Sequence, residues 1–316
     1  MRVFILGGAG YIGSHMVKMA HEAGHEIITI DNLSTGHKDS VLYGQFELCD
    51  ILDKDHLNKI FRKYKPDAVM HFSACSIVGE SVKDPYKYYQ NNVSGTLSVL
   101  STMIENNCKK LIFSSTAAIF GNPEYLPIDE KHIKNPINPY GKSKLMVEEI
   151  LKDFEAAYGL KYISFRYFNA AGHDLEGNLK ERHDPETHLL PIVMQAANKI
   201  RNSVSIFGVD YETKDGTCIR DYIHVNDIAN AHLKGLEYLN QSNAKSIELN
   251  LGNGKGFSVR EIIKEVENFT GNKIKVIAKN RRLGDPPELI AKGDLAKSIL
   301  KLDNKFPTIK DIIKTL

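Results

Sequence analysis

Short apolar runs alternate with amphipathic stretches through the first half of the chain. Val3–Leu6, Glu26–Ile30, Phe46–Leu48, Ala68–Phe72, Leu111–Ser114 and Tyr162–Phe165 are brief and apolar, the pattern of parallel strands buried on both faces. Helical stretches lie between most of them, such as Ile12–Ala23, stopped by Gly24, and Pro139–Tyr158, stopped by Gly159. Glycine just past a helix end supplies the left-handed conformation that terminates it. Strand–helix alternation over about 165 residues predicts an α/β fold built on a doubly wound parallel sheet. The pattern loosens after Phe168. Gly172–Thr187 is polar and predicts a loop, and strands and helices then mix less regularly. Ser258-Val-Arg-Glu261 predicts a capped helix ending near Gly271. Lys297–Lys314 predicts one or two amphipathic surface helices. The expected division is a nucleotide-binding domain over 1–169 and a smaller α/β domain over 170–316. Segments of about 217–252 are candidates to return to the first domain.

Composition narrows the function. The 316 residues are 42% hydrophobic and 25% charged, which excludes a disordered chain. Lys and Arg number 41 against 39 Asp and Glu, a net charge of +2. That balance gives no global reason to bind nucleic acid or an anionic membrane. The longest apolar runs fall far short of the roughly 20 residues of a membrane span. The apolar start, Met1 to Leu6, is too short for a signal-peptide core, so a cytoplasmic protein is expected. Cys49, Cys75, Cys108 and Cys218 form no Cys-x-x-Cys pair. Four reduced thiols and no metal site are expected.

Two clusters carry chemistry. Gly7-Gly-Ala-Gly10-Tyr-Ile-Gly13 follows the first predicted strand and opens a helix. Glycines there allow a tight turn and let a pyrophosphate reach backbone N–H groups at the helix N-terminus. Asp31 ends the second strand, 18 residues after Gly13. A carboxylate there accepts hydrogen bonds from an adenosine ribose and repels a 2′-phosphate, which favours NAD over NADP. Asp50 and Ile51, after the third strand, are weaker candidates for the same ligand.

The second cluster is Pro139-Tyr140-Gly-Lys-Ser-Lys144 with Ser114-Ser115-Thr116. Tyr140 and Lys144 lie four residues apart and share a helix face. Thr116 lies just past a strand end, where open α/β sheets bind ligands. A free tyrosine titrates near ~10, so forming its phenolate at pH 7 takes roughly 4 kcal/mol of stabilisation. A nearby ammonium supplies a potential of the right sign. Tyr140 is therefore the candidate general base, Lys144 its electrostatic partner, and Thr116 a hydrogen-bond donor to the reacting oxygen.

With these motifs the chain resembles the extended short-chain dehydrogenase/reductases. Within them it is most similar to the epimerases that interconvert UDP-galactose and UDP-glucose. The likeness covers essentially the whole chain. It rests on Gly7–His15, Asp31–Ser34, His71–Ala74, Val78–Ser81, Asn91–Thr96, Ser114–Thr116 and Pro139–Lys144. Arg166–Asn169, Arg220–Val225 and Arg282–Asp285 are closer to the sugar-nucleotide epimerases in particular. The resemblance implies a Rossmann fold and bound NAD. The dinucleotide would be lined by Gly7, Gly10, Tyr11, Ile12, Gly13, Asp31, Asn32, Ser34, Asp50, Ile51, Phe72, Ala74, Ser114, Tyr140, Lys144 and Phe168. Either Asn91 or Asn92 would join them.

It places the UDP-hexose against Thr116, Tyr140, Asn169, His188, Leu189, Phe207, Arg220, Arg282 and Asp285. Arg220 and Arg282 suit the diphosphate because a guanidinium matches its oxygens in a bidentate way; otherwise they are surface ion pairs. His188 stands where other members carry asparagine, and is either a substrate contact or a structural histidine. Leu289 occupies a position that gates the sugar 2-substituent, which leaves acetamido sugars open. The implied cycle removes the C4 hydride and the 4-hydroxyl proton, turns the 4-ketose about its diphosphate tether, and returns both to the other face. A homodimer through helices near 85–106 and 140–158 is also implied.

Four rivals remain to be weighed. A 4,6-dehydratase wants acidic residues after Thr116, where Ala117-Ala118 stand. A UDP-uronic acid 4-epimerase needs only one added basic group. A plain nucleotide-sugar oxidoreductase would release NADH. A non-catalytic NAD-sensing protein would not need Tyr140, Lys144 and Thr116.

Overall fold

The computed structural model describes residues 1–316. Thirteen strands run in chain order: β1 Arg2–Leu6, β2 Glu26–Asp31, β3 Gln45–Leu48, β4 Ala68–His71, β5 Lys110–Thr116, β6 Lys161–Tyr167, β7 Asn169–Ala171, β8 Val204–Phe207, β9 Ile219–His224, β10 Ile247–Leu251, β11 Gly256–Ser258, β12 Val276–Lys279 and β13 Glu288–Leu289. The helices are α1 Tyr11–Glu22, α2 Lys54–Tyr64, α3 Val78–Lys83, α4 Pro85–Tyr88, α5 Gly95–Glu105, α6 Pro139–Tyr158, α7 Leu189–Ala197, α8 Val225–Leu239, α9 Val259–Thr270, α10 Asp294–Leu300 and α11 Ile309–Ile313.

Seven strands form one sheet in the order β10-β6-β5-β4-β1-β2-β3, and every pair in it is parallel. Alternate side chains feed opposite faces. Val3 and Ile5 pack with Met16, Val17, Ile228 and Leu236 on one side. Phe4 and Leu6 pack with Leu57, Phe61, Val99 and Leu151 on the other. Both faces are thus covered, as the unbroken apolar runs require. The chain winds outward from β1 to β3, then restarts at β4 on the other side of β1. The crevice at this reversal lies at the carboxyl ends of the strands, where such sheets hold ligands. β10 pairs with β6 and completes the large sheet, while α8 packs on α1.

A smaller sheet, β11-β9-β13 with β7 on β9, and the pair β8–β12 form a second body. Its core joins Leu190, Val193, Ile206, Ile262, Val266 and Ile312. Ser258 and Glu261 form the capping box expected of α9, and Gly271 ends that helix at φ 73°. A fourth cluster, including Phe120, Phe168, Leu289 and Ala291, lies where the two bodies meet. All four cysteines are unpaired. No helix is long and apolar enough to cross a membrane.

Candidate active site

The glycine loop sits at the reversal. Gly7 has φ 77°, and a Cβ there would lie 2.6 Å from the Ser73 backbone nitrogen. Glycine is what lets the loops after β1 and β4 touch. A Cβ on Gly13 would overlap the Gly7 carbonyl oxygen. Gly10 opens the 12-residue α1 with no side chain, and the first turn of that helix holds no acidic residue. The positive helix end is therefore open to an anion. Tyr11 and Ile12 begin the helix, and the Tyr11 phenol donates to the Gly172 carbonyl at 2.6 Å.

Asp31 is buried at the end of β2 and accepts backbone N–H groups from Ala9 at 3.0 Å and Leu33 at 2.8 Å. Burial raises its pKa and these two bonds oppose the rise. The carboxylate braces the glycine loop and keeps spare lone pairs for a ribose hydroxyl. Asn32 donates to Asp50 at 2.8 Å and accepts from the Ser34 N–H at 3.0 Å. Ile51 is buried under Gly95, where a Cβ would lie 2.6 Å from its Cδ1. Phe72 and Ala74 are half-buried in the loop after β4.

Asn91 and Asn92 lie in a stretch of π-helix, Tyr89–Ser94, between α4 and α5. The Asn92 amide exchanges hydrogen bonds with the Cys75 backbone at 2.9 and 3.0 Å and donates to Ser143 at 3.0 Å. It pins the loop after β4 to α6. Asn91 is half-buried and its side-chain amide donates to Asn92 Oδ1. Of the two, Asn91 is the one with its own acceptor left for a ligand.

The second cluster is drawn together by α6. Asn138 caps that helix by accepting from Gly141 at 2.8 Å, and Pro139 takes its first position. This sets Tyr140 and Lys144 on the face toward the end of β5. The Tyr140 phenol faces the Thr116 hydroxyl; burial raises its pKa and the nearby hydroxyl opposes the rise. Lys144 is buried, with Nζ donating to the Ser114 carbonyl at 2.7 Å. Burial pushes its pKa down to about 7. One turn further, Glu148 accepts from Ser115 at 2.7 Å and from Arg166 at 2.9 and 2.8 Å. This fully buried ion pair fixes the strand end that carries Ser114 and Thr116. The spacing 140, 144, 148 was its sequence signal, and nothing in composition marked Glu148 apart from an exposed helix carboxylate.

Across the cleft, Phe168 packs beside Leu289, and Asn169 opens β7. Leu289 pairs with Arg220 in register. Arg220 donates to the Ile219 carbonyl at 2.9 Å and stands 3.9 Å from Asp285. Arg282 meets the other Asp285 oxygen at 2.9 Å and stacks over Phe207 at 5.0 Å. Asp285 thus gathers both guanidiniums. Their remaining N–H donors are enough for a diphosphate, since one carboxylate uses only a few. The ion pairs of the second reading are formed.

Leu189 begins α7, and His188 precedes it. His188 Nδ1 lies 2.6 Å from Glu181 and 3.2 Å from Glu186. Burial disfavours its charge, yet the two carboxylates outweigh this and raise its pKa to about 10. One ring nitrogen is thus held inside the protein, leaving Nε2 as its contact for a ligand. The sequence reading missed Glu181 and Glu186, although two Glu-x-His pairs five residues apart were visible.

Residues 3–252 match the model of the NAD dependent epimerase/dehydratase family. The chain belongs to that family. It is 48% identical to a UDP-glucose 4-epimerase of Halalkalibacterium halodurans over 99% of this chain and 94% of that protein. It superposes at TM-score 0.95 on the UDP-glucose 4-epimerase of Brucella ovis in complex with NAD, with 47% identity, over 99% of this chain and 96% of the other. A UDP-glucose 4-epimerase of Bifidobacterium longum, in complex with NAD+ and UDP, matches at TM-score 0.95 and 34% identity. It covers all of this chain and 96% of its own.

Proposed function

We propose that the protein interconverts UDP-galactose and UDP-glucose by transient oxidation at sugar C4, with NAD as resident cofactor. The observation that carries this is the convergence of Thr116 and the Tyr140 phenol at the end of β5, with the buried Lys144 one turn behind donating to the Ser114 carbonyl. The full-length likeness to UDP-glucose 4-epimerases supports the substrate. NAD, when bound, supplies reversible acceptance of the C4 hydride. The open glycine-lined end of α1 and the ribose-ready Asp31 fit it.

The chain's own groups do the rest. Thr116 orients the 4-hydroxyl, and Tyr140 takes its proton and later returns one. Lys144 stabilises the phenolate. Arg220 and Arg282 hold the diphosphate, which supplies affinity without fixing the sugar in one pose. Asn169, His188 through Nε2, Leu189 and Phe207 complete the sugar-nucleotide side. The cofactor would rest against Gly7, Gly10, Tyr11, Ile12, Gly13, Asp31, Asn32, Ser34, Asp50, Ile51, Phe72, Ala74, Asn91, Ser114 and Phe168. The division of labour follows 1–169 for NAD and 170–316 for the sugar nucleotide, with α8 and β10 on the NAD side. Exposed Leu97 on α5, and Met146 and Tyr158 on α6, suit a homodimer through these helices. A cytoplasmic location agrees with the unpaired thiols.

Proton NMR of UDP-galactose with purified protein and no added NAD tests this. Appearance of the UDP-glucose anomeric signal is expected. No conversion, even with NAD supplied, overturns the assignment. UDP-N-acetylgalactosamine in a second tube reads the gate at Leu289.

A further inference from the structure

We propose that Glu181, His183, Glu186 and His188 form a binding site for one divalent cation of the zinc type. The four residues come from two Glu-x-His pairs in the irregular segment between β7 and α7. One ligand atom from each lies within 4.8 Å of all the others. His183 and His188 both aim Nδ1 at the same Glu181 oxygen, at 3.1 and 2.6 Å, and His188 Nδ1 is 3.2 Å from Glu186.

Tetrahedral zinc, with ligands at about 2.0–2.2 Å, separates neighbouring ligand atoms by roughly 3.3 Å. The four atoms already bracket that spacing. The Glu181 and Glu186 side chains are only 1% and 5% exposed. Bound as metal ligands the two imidazoles are neutral, so the two buried carboxylates would leave the cluster two negative charges. A divalent cation brings that ligand set to neutrality. Two imidazoles select zinc over magnesium or calcium, which prefer oxygen shells.

The site has a mechanical setting. Its segment is fastened across the glycine-loop side by Tyr11 to the Gly172 carbonyl and by Lys18 to Asp174 at 2.8 Å. Arg182 reaches Asp39 at 2.9 Å from the same segment. The ion would cross-link the stretch that carries Arg182 to the start of α7. It takes no part in proton or hydride transfer, and it touches the proposed sugar-nucleotide side only through His188, whose Nδ1 would face the ion while Nε2 stays toward the ligand.

The test uses tag-free holoenzyme, dialysed against a chelator and titrated with zinc against a chromophoric competitor. One zinc per chain is expected, undisturbed by excess magnesium or calcium. His183→Gln and Glu181→Gln should each weaken zinc binding by at least about tenfold. Zinc should raise the melting temperature of the parent and not of the variants. His183 is partly exposed, so its variant should fold, and retained NAD absorbance reports this. Substoichiometric zinc in the parent, or unchanged affinity in a folded His183→Gln protein, overturns the proposal and leaves an ion-pair cluster only.

Discussion

Replacing Glu148 by Met is the sharpest test of how the site is held. Glu148 and Arg166 are both fully buried and joined by two hydrogen bonds of 2.9 and 2.8 Å. Removing the carboxylate leaves a guanidinium without a counter-charge, a loss of about 3–5 kcal/mol. The nearest substitute acceptor, the Glu130 carbonyl, lies at 3.5 Å and carries no full charge. At about 2 °C per kcal/mol for a large chain, the melting temperature should fall by roughly 6–10 °C. Removing both partners, as in E148M/R166M, should recover most of that loss. Activity should follow, because Ser115 bonds to Glu148 between Ser114 and Thr116. Thermal melts at one scan rate and epimerase assays on the three variants decide it. A single variant that loses under about 1 kcal/mol, or a double variant worse than the single, would refute the reasoning.

Tyr140→Phe should lower kcat by about 10²–10⁴-fold while purified protein keeps its NAD absorbance. Gly13→Ala forces a Cβ onto the Gly7 carbonyl, so the protein should emerge from purification without NAD, read from its absorbance spectrum. Arg282→Met removes about 1.5–3 kcal/mol of charge-assisted bonding. KM for UDP-galactose should rise by about 10–100-fold, with a smaller change in kcat.

The elements that repeat were legible in the sequence. β1 is apolar on both faces and the apolar runs Ala68–Met70 and Tyr162–Ile163 mark β4 and β6, so these strand positions needed no tertiary knowledge. Pro139–Tyr158 matches α6 because both of its ends are set locally, by the Asn138–Pro139 start and by Gly159 at φ 68°. Contacts between distant residues left no such mark. Asn92 spends its amide on Cys75 and Ser143, and no local pattern separates it from Asn91. The π-helical stretch around them depends on packing against α6, which helical periodicity does not encode. Arg220 and Arg282 were visible as cations, but their meeting at Asp285 depends on the 282–285 turn lying beside β9.

Lys144 joins stability to chemistry through its charge. Burial lowers it from its ordinary 10.5 to about 7 and raises the Tyr140 phenol. Each ion alone is costly in this site, and the phenolate and ammonium together are less so because their fields cancel. Groups one helical turn apart, about 6 Å, interact by roughly 3 kcal/mol at an effective dielectric of about 20. That is about two pH units on the Tyr140 pKa. In Lys144→Met the phenolate loses this support, so the acid limb of the kcat–pH profile should move up by about two units. Stability should change with the opposite benefit. Lys144 titrates lower in the folded state than in the unfolded one, so between pH 7 and 10.5 the unfolded chain binds more protons. The parent therefore gains stability as pH rises through that window, and Lys144→Met should remove the slope. If kcat falls while its acid limb stays in place, Lys144 acts only by holding the Ser114 carbonyl, and the electrostatic role is wrong.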